Sequence, residues 1–271
     1  MVLIKQCPVC TNKKTKDGLT GYNKCVSCLS LYATSMPSAK KITERINYWG
    51  KKFVGNPKNE PILQSNYERA GFLSKYTKKG KRKLIDVGCG NGNFLRCAKQ
   101  ANYDISGMDI SSPIVEYLQA LNVPLYNSLK SIKDKYFDIV TCFDVIEHTT
   151  NPRPFLTSIK RILKKDGLFM ITTPNGAGVS ATILKNRWWV LGPSDHYVLF
   201  NPRSLPMLLE KVGFTIINIQ TDTLTQWFQS SCPIFNKVAN KLVYLGFLPF
   251  KKHLFNKGLG DNIQVLTRLK A

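Results

Sequence analysis

Acidic residues and histidines are scarce in this chain of 271 residues. Asp and Glu number 17 against 39 Lys and Arg, which gives a formal net charge of +22, and there are three histidines. A charge of this sign attracts anions: nucleic acid, an acidic membrane surface or an anionic substrate. A solvated lysine-rich surface explains the charge equally well. Because the lysines are dispersed and no Arg–aromatic module of the RNA-binding kind is present, the sequence does not favour nucleic acid.

Long hydrophobic runs are also missing. No run of about 18 apolar residues occurs, so we predict no transmembrane helix. Residues 1–6 are too few to form a secretory signal. We therefore expect a cytoplasmic protein, with peripheral attachment to the acidic inner membrane surface as an open alternative.

The order of elements predicts an α/β fold. At this length the chain can form one α/β domain and a small additional module. Apolar runs alternate with helical segments through residues 81–271, which predicts a doubly wound, mostly parallel sheet. Strands are expected at 214–221 and 262–269, separated by a basic, amphipathic helical insert at 222–260. The pattern of that insert fits three alternative roles: a lid, a subunit contact or a membrane contact.

A glycine-rich turn follows the apolar run at 84–87. Residues 86–92 read Asp-Val-Gly-Cys-Gly-Asn-Gly, with glycine at every second position from residue 88. Glycine allows a sharp turn and a close approach to a ligand. A dinucleotide site would require a third glycine where Asn93 stands. The turn therefore predicts another cofactor, and the acid that leads it suits a ligand with a cationic end.

The Asp-x-Gly-x-Gly-x-Gly pattern resembles motif I of class I methyltransferases that use S-adenosylmethionine (SAM). The segments at 103–111, 136–148, 163–175 and 200–214 follow in the order of the small-molecule, ubiquinone-methyltransferase-like enzymes. Within 163–175 we expect a helix end, a glycine turn and then the fifth strand. This resemblance covers residues 83–271. It implies a Rossmann-like sheet of seven strands, the last antiparallel, and SAM as the cofactor, but it says little about the substrate.

The resemblance also implies the cofactor contacts. The acid and the glycine turn would hold the amino acid portion of SAM, and Asp109, at the end of the second strand, would bind the ribose. Phe143 would approach the methionine portion. Asn127 stands where the family often has an acid near the adenine, which leaves that contact in doubt. The complete predicted set is Asp86, Gly88, Cys89, Gly90, Gly92, Asp109, Ile110, Leu129 and Phe143.

Two pairs of cysteines near the N-terminus predict a metal site. Cys7, Cys10, Cys25 and Cys28 form C-x2-C-x14-C-x2-C, which is typical of a zinc ribbon with a structural ion. Two disulfides are the alternative, and the expected cytoplasmic location disfavours them. We assign residues 1–35 to the ribbon.

Residues 36–80 are expected to form a lysine-rich helical linker or cap. Helices are predicted at 39–52 and 61–76. In related methyltransferases such helices cover the cofactor, and Tyr48, Trp49 and Tyr67 are candidates to line a substrate pocket. Packing of these rings on the core is an alternative for each.

His196 is the candidate catalytic residue. It follows the fifth strand, on the side of a doubly wound sheet where substrates enter, and a neutral imidazole can remove the proton of an alcohol. A buried, hydrogen-bonded histidine is the alternative. Asp195 is a candidate to orient it, whereas His148 is expected to pack beneath the cofactor loop.

These features together predict a SAM-dependent O-methyltransferase that acts on a sugar or a surface-glycan precursor. The order of ribbon and methyltransferase domain resembles sugar methyltransferases. An rRNA or tRNA methyltransferase is the alternative, although no Asn-Pro-Pro-Tyr-type motif occurs at 142–145. A non-catalytic adaptor is a third possibility, against which the intact cofactor motif argues.

Overall fold

A computed structural model describes residues 2–54, 64–77, 80, 82–191, 195–222, 240–243 and 245–270. The central sheet has seven strands: β6 (Arg82–Val87), β7 (Tyr103–Met108), β8 (Leu125–Tyr126), β9 (Phe137–Phe143), β10 (Leu163–Pro174), β12 (Phe214–Asp222) and β13 (Asn262–Leu269). Their spatial order is β12-β13-β10-β9-β6-β7-β8. Only β13 runs antiparallel to its neighbours. The predicted seven-stranded, mostly parallel sheet is therefore confirmed.

Helices cover both faces of this sheet. The helices with defined bounds are α1 (Ala39–Phe53), α2 (Gln64–Ser74), α3 (Asn93–Gln100), α4 (Ser112–Ala120), α5 (Pro152–Ile162), α6 (Val179–Leu184), α7 (Ser204–Val212) and α8 (Lys251–Asn256), and residues 240–243 and 245–247 are also helical. Short helical turns span Leu129–Ser131, Ile146–His148, Lys185–Arg187, Trp189–Leu191 and Leu248–Phe250. No helix among the described residues is long and apolar enough to cross a membrane.

Successive residues of the central strands serve two apolar cores. Ile85 and Val140 belong to the core that contains side chains of α5 and α7. Their neighbours Leu84 and Ile139 belong to the opposite core, with side chains of α2, α3 and α4. Because strand side chains alternate between faces, a continuous apolar run is what a sheet covered on both sides requires. This packing confirms the double winding.

One strand begins earlier than the sequence suggests. Residues 163–167 are predicted to contain a helix end and a glycine turn, yet β10 already begins at Leu163, where α5 ends. The extra length is absorbed by a register shift against β9 between Leu163 and Leu168. The site is unaffected, because the shift lies at the amino end of the strand.

The N-terminal unit shares a sheet with the larger domain. Its strands are β1 (Val2–Leu3), β2 (Thr15–Asp17), β3 (Tyr22–Cys25), β4 (Leu31–Ala33) and β5 (Ser35–Met36), and the order β11-β4-β3-β2 includes β11 (Val198–Leu199) from far along the chain. Cys7, Cys25, Cys28 and Tyr32 belong to the same apolar core as the central sheet. The predicted ribbon is thus packed directly on the α/β domain.

Two other predicted segments lie partly outside the described residues. The cap at 36–80 contains α1 and α2 as expected, but 55–63, 78 and 79 are not described. Within the predicted insert at 222–260, residues 223–239 and 244 are also outside them. The role of the insert therefore stays a prediction.

Candidate active site

The glycine-rich turn joins β6 to α3 at the carboxyl edge of the sheet. Gly88, Gly90 and Gly92 have φ angles of 77°, 50° and 75°, which side chains rarely permit. A Cβ at Gly88 would lie 2.2 Å from Cγ2 of Val145, whereas at Gly90 no atom of the described residues lies within 4 Å. The turn therefore packs on the protein at one glycine and leaves open space beside the next, as a ligand cradle requires.

Asp86 is buried beneath this turn. It is 3% exposed, and its Oδ1 accepts a hydrogen bond of 2.7 Å from the Thr141 hydroxyl. Burial raises the pKa of Asp86 to about 6, although the Thr141 hydrogen bond and the Arg69 charge oppose the shift. A buried carboxylate of this kind gains stability from a cationic ligand.

Replacing Asp86 by Asn should stabilise the ligand-free protein at alkaline pH. The folded state holds the Asp86 proton more tightly than the unfolded chain, so stability falls as the pH rises from 3.8 to about 6, and the loss persists above that. Asn buries no charge and keeps an oxygen for Thr141. Its free energy of unfolding at pH 8 should exceed that of the parent by about 1–3 kcal/mol. Urea unfolding of the parent and the variant at pH 5 and pH 8 measures this. If the two proteins differ in free energy of unfolding by the same amount at both pH values, the raised pKa of Asp86 is contradicted.

Asp109 lies just beyond β7, beside the glycine turn. Its Oδ2 accepts the Gly90 N–H at 3.0 Å, and its Oδ1 accepts the Ser111 N–H at 2.9 Å. Each carboxylate oxygen retains a further lone pair. The next residue, Ile110, is 62% exposed. The two side chains therefore lie beside the open part of the turn, and their assignment to ribose and adenine stays a prediction.

The other predicted cofactor residues differ in what they expose. Phe143, at the end of β9, packs edge-on against Phe94 with ring centroids 4.8 Å apart. The Arg69 guanidinium carbon lies 4.4 Å from the centroid of the Phe143 ring. Cys89 and Leu129 are buried, so any contact of these two with a cofactor would use mainly their backbone atoms. Arg69, from α2, is a neighbour of the site that sequence reasoning missed.

Glu147, His148 and His196 meet at the same edge of the sheet. One possible ligand atom from each lies within 4.8 Å of the others, and the two ring centroids are 4.6 Å apart. Nδ1 of His148 lies 2.9 Å from the Asp195 carbonyl, and Nδ1 of His196 lies 2.7 Å from the Val190 carbonyl. A carbonyl can only accept. Both Nδ1 atoms therefore carry the proton, and both Nε2 atoms keep a lone pair.

His196 is buried and neutral. It is 8% exposed, and burial together with the His148 ring lowers its pKa to about 4. The Asp195 carboxylate binds α1 instead, with Oδ1 3.1 Å from Nη1 of Arg45 and Oδ2 3.0 Å from Nε1 of Trp49. Asp195 therefore fastens α1 at this edge, and its carbonyl, not its carboxylate, orients a histidine.

The sequence misplaces His148 and misses Glu147. The His148 ring packs on His196, because residues 146–148 form a helical turn after β9, whereas Val145 packs against Gly88 of the glycine turn. Glu147 is 1% exposed; its Oε2 accepts a 2.9 Å hydrogen bond from the Thr173 hydroxyl, and its Oε1 has no partner among the described residues. Burial, aided by the Asp144 charge, raises the pKa of Glu147 well above its usual range. A Glu-His pair directly after a predicted strand was the sequence signal that could have revealed Glu147.

The four N-terminal cysteines converge on one point. Their Sγ atoms lie within 4.8 Å of one another, with 3.5 Å between Cys7 and Cys28 and 3.4 Å between Cys10 and Cys25. Four thiolates about 2.3 Å from one tetrahedral ion lie roughly 3.8 Å apart. The cluster fits a zinc ion with small shifts of the side chains.

This cysteine unit holds the loop that carries His196. The Tyr22 hydroxyl donates to the carbonyl of His196 at 2.8 Å, and the Ala33 N–H donates to the carbonyl of Tyr197 at 2.9 Å. The Asn201 amide donates to the Cys28 carbonyl at 3.1 Å. The unit is therefore placed to position His196, a link that the sequence does not reveal.

Comparison with known proteins gives a family match. Residues 59–219 match the family described as "Methyltransferase domain". Among curated relatives, the ubiquinone biosynthesis O-methyltransferase of Thiobacillus denitrificans is 26% identical over 68% of this chain and 83% of the relative. The enzyme of that name from Glaesserella parasuis is 27% identical over 43% of this chain and 56% of the relative. The chain thus spans little more than half the length of the second relative.

Solved structures share the fold. A SAM-dependent methyltransferase from Archaeoglobus fulgidus superposes with a TM-score of 0.55 and 22% identity, covering 82% of this chain and 98% of the other. At this identity the likeness establishes the arrangement of the sheet and helices and not the substrate.

Proposed function

We propose that this chain, which belongs to the methyltransferase domain family, uses SAM to methylate a hydroxyl oxygen of a sugar or surface-glycan precursor. One observation carries the proposal: a neutral His196 with a free Nε2 lies at the same sheet edge as the glycine turn. The two curated relatives described above are named O-methyltransferases, which supports oxygen as the acceptor. The net charge of +22 supports an anionic acceptor.

We assign each group of residues a role in the proposed reaction from its position at the sheet edge. SAM, when bound, supplies a methyl group on a cationic sulfur that is a good leaving group. Asp86 and the turn at 88–92 would hold its amino acid portion, and Asp109 its ribose. The exposed ring of Trp49 offers an apolar surface on which a sugar ring can stack. His196 then takes the hydroxyl proton through Nε2, while alignment of the acceptor supplies most of the acceleration.

A labelling experiment tests the proposal. The purified protein is incubated with methyl-labelled SAM and a panel of nucleotide-linked sugars, polyprenyl-linked sugars, phenols and RNA. We expect label in an ether on one sugar class, identified by mass spectrometry, together with loss of that ether in a deletion strain. Label found only in RNA, or only on nitrogen, would refute it.

Replacing Asp109 by Ala should weaken SAM binding. Two ribose hydroxyls would lose a charged acceptor, which is typically worth about 1.5–3 kcal/mol, or roughly ten- to a hundred-fold in affinity. Calorimetry measures the change. Asp104→Ala is the control, because it removes the same charge near the opposite, amino end of β7, where the side chain is exposed. Equal affinity in the parent and the Asp109 variant would remove this residue from the cofactor site.

We also propose that Cys7, Cys10, Cys25 and Cys28 hold one structural zinc. The convergence of four thiols supports this, because four thiolates leave no coordination position for water or substrate. The small strands around them have little apolar core of their own, and an ion supplies the missing stability.

A further inference from the structure

Glu147, His148 and His196 provide more than a general base requires. One imidazole suffices to take a proton. Here two imidazoles, each with Nδ1–H fixed on a backbone carbonyl, lie near a buried carboxylate whose Oε1 has no partner among the described residues. All three atoms that could bind a cation lie within 4.8 Å. A single cation can therefore contact all three side chains.

The hydrogen bonds of the two histidines have the form found around metal ligands. Histidines that bind a metal through one nitrogen almost always donate the other N–H to a carbonyl or carboxylate, which fixes the tautomer. His148 does so to Asp195, and His196 to Val190. The same loop is tied to the helical turn by the Tyr197 N–H, which donates to the Glu147 carbonyl at 2.7 Å. The three donors are thus held in place before any ligand binds.

The charges around Glu147 also favour a bound cation. Glu147 is 1% exposed, and no lysine or arginine of the described residues forms an ion pair with it. An isolated buried carboxylate either keeps its proton or binds a cation. Asp144, a non-glycine residue with a φ of 56°, lies close enough to raise the pKa of Glu147 and adds negative charge. Left-handed backbone at such a position is typical of functional sites.

We infer that Glu147, His148 and His196 bind one divalent cation, which receives the hydroxyl oxygen of the methyl acceptor. This inference rests on the proposed function. Two histidines and a carboxylate leave coordination positions open, unlike the four cysteines. Imidazole and carboxylate suit Zn²⁺, Fe²⁺ and Mn²⁺, and an acceptor with two adjacent oxygens can occupy two open positions.

The reaction balances without a redox partner. On the cation the acceptor O–H loses its proton to water, because a bound divalent ion lowers the pKa of a coordinated hydroxyl. An oxygen lone pair then forms the C–O bond to the methyl carbon. The C–S bond breaks, and its electron pair returns to sulfur to give neutral S-adenosylhomocysteine. When the cation occupies Nε2, His196 acts on the acceptor through the cation, and this replaces the direct proton transfer to Nε2 described for the cation-free protein.

Titration with Mn²⁺ alone tests the inference. Thiolates favour Zn²⁺ over Mn²⁺, so protein already loaded with one zinc should take up added Mn²⁺ only at the second site. Electron paramagnetic resonance of free Mn²⁺ should show one saturable site per chain. Glu147→Gln and His148→Asn should each weaken it more than tenfold. His253→Ala, which removes an exposed histidine elsewhere, should leave it unchanged.

The outcomes separate this inference from the proposed function. SAM affinity and thermal unfolding verify that each variant is folded, and the less buried His148→Asn variant serves if Glu147→Gln unfolds. Absence of saturable Mn²⁺ binding, or unchanged binding in folded variants, overturns the cation site. If O-methylation then proceeds at full rate with chelator present, the proposed function stands with His196 as direct base. If Mn²⁺ binds but no hydroxyl is methylated, the cation site stands and the proposed function fails.

Discussion

Replacement of His196 by Ala should lower turnover by about 10²–10⁴-fold and leave SAM affinity nearly unchanged. The residue is buried at the acceptor side of the edge, and its Nε2 has a free lone pair. Removing that nitrogen removes the group that promotes loss of the hydroxyl proton, whether directly or through a bound cation. The glycine turn and Asp109 belong to β6 and β7, which this change does not touch. Single-turnover rates and calorimetry measure the two quantities separately.

A conservative variant separates catalysis from folding. In His196→Asn the amide N–H can still donate to the Val190 carbonyl, now 2.7 Å from Nδ1, but the Nε2 lone pair is lost. We expect this variant to unfold like the parent and to be as slow as the alanine variant. Near-normal turnover in the Asn variant would exclude His196 from the reaction. Loss of folding in the Ala variant, with activity retained in Asn, would support a purely structural histidine.

The sheet could be predicted because its signals are local. Each buried strand is a short apolar run, and the last strand was expected at the residues where β13 is found, 262–269. Alternation of strands and helices fixes a parallel, doubly wound sheet without any knowledge of long-range contacts. The start of β10 was missed, because the apolar pattern of residues 163–167 does not indicate a register shift against β9.

The site was predictable only in part, for a related reason. The glycine turn and the cysteine pairs are contiguous in sequence, and the structure brings each group together. The pairing of His148 with His196 depends instead on a loop that is hydrogen-bonded to both the helical turn after β9 and the cysteine unit. Three histidines in one chain give no periodicity that could reveal such a contact. His196 was chosen on chemical grounds alone, as a possible base. Glu147 could be recognised only once the fold had placed it beside the two histidines.

Replacement of Cys25 by Ser should remove the zinc and lower turnover strongly, with SAM affinity nearly retained. Structural zinc binds with an apparent free energy of about 10–16 kcal/mol in small domains, so loss of one ligand should unfold the strands around it. Those strands hold the His196 loop through the Tyr22 hydroxyl and the pairing of β4 with β11. A displacement of about 1 Å at a reacting group can cost roughly 10²-fold in rate.

The measurements are zinc content, turnover and SAM affinity of the same preparation, purified without chelator. The parent should contain one zinc per chain. Cys97→Ser is the matched control, because it changes a buried cysteine of α3 outside the cluster and should keep the ion. Tyr22→Phe removes only the 2.8 Å hydrogen bond to the His196 carbonyl and should slow turnover less, with zinc retained. A parent without zinc would refute the metal site. A zinc-free Cys25 variant with full turnover would show that His196 is positioned by the α/β domain alone, since β11 and the Glu147–Tyr197 hydrogen bond would then suffice.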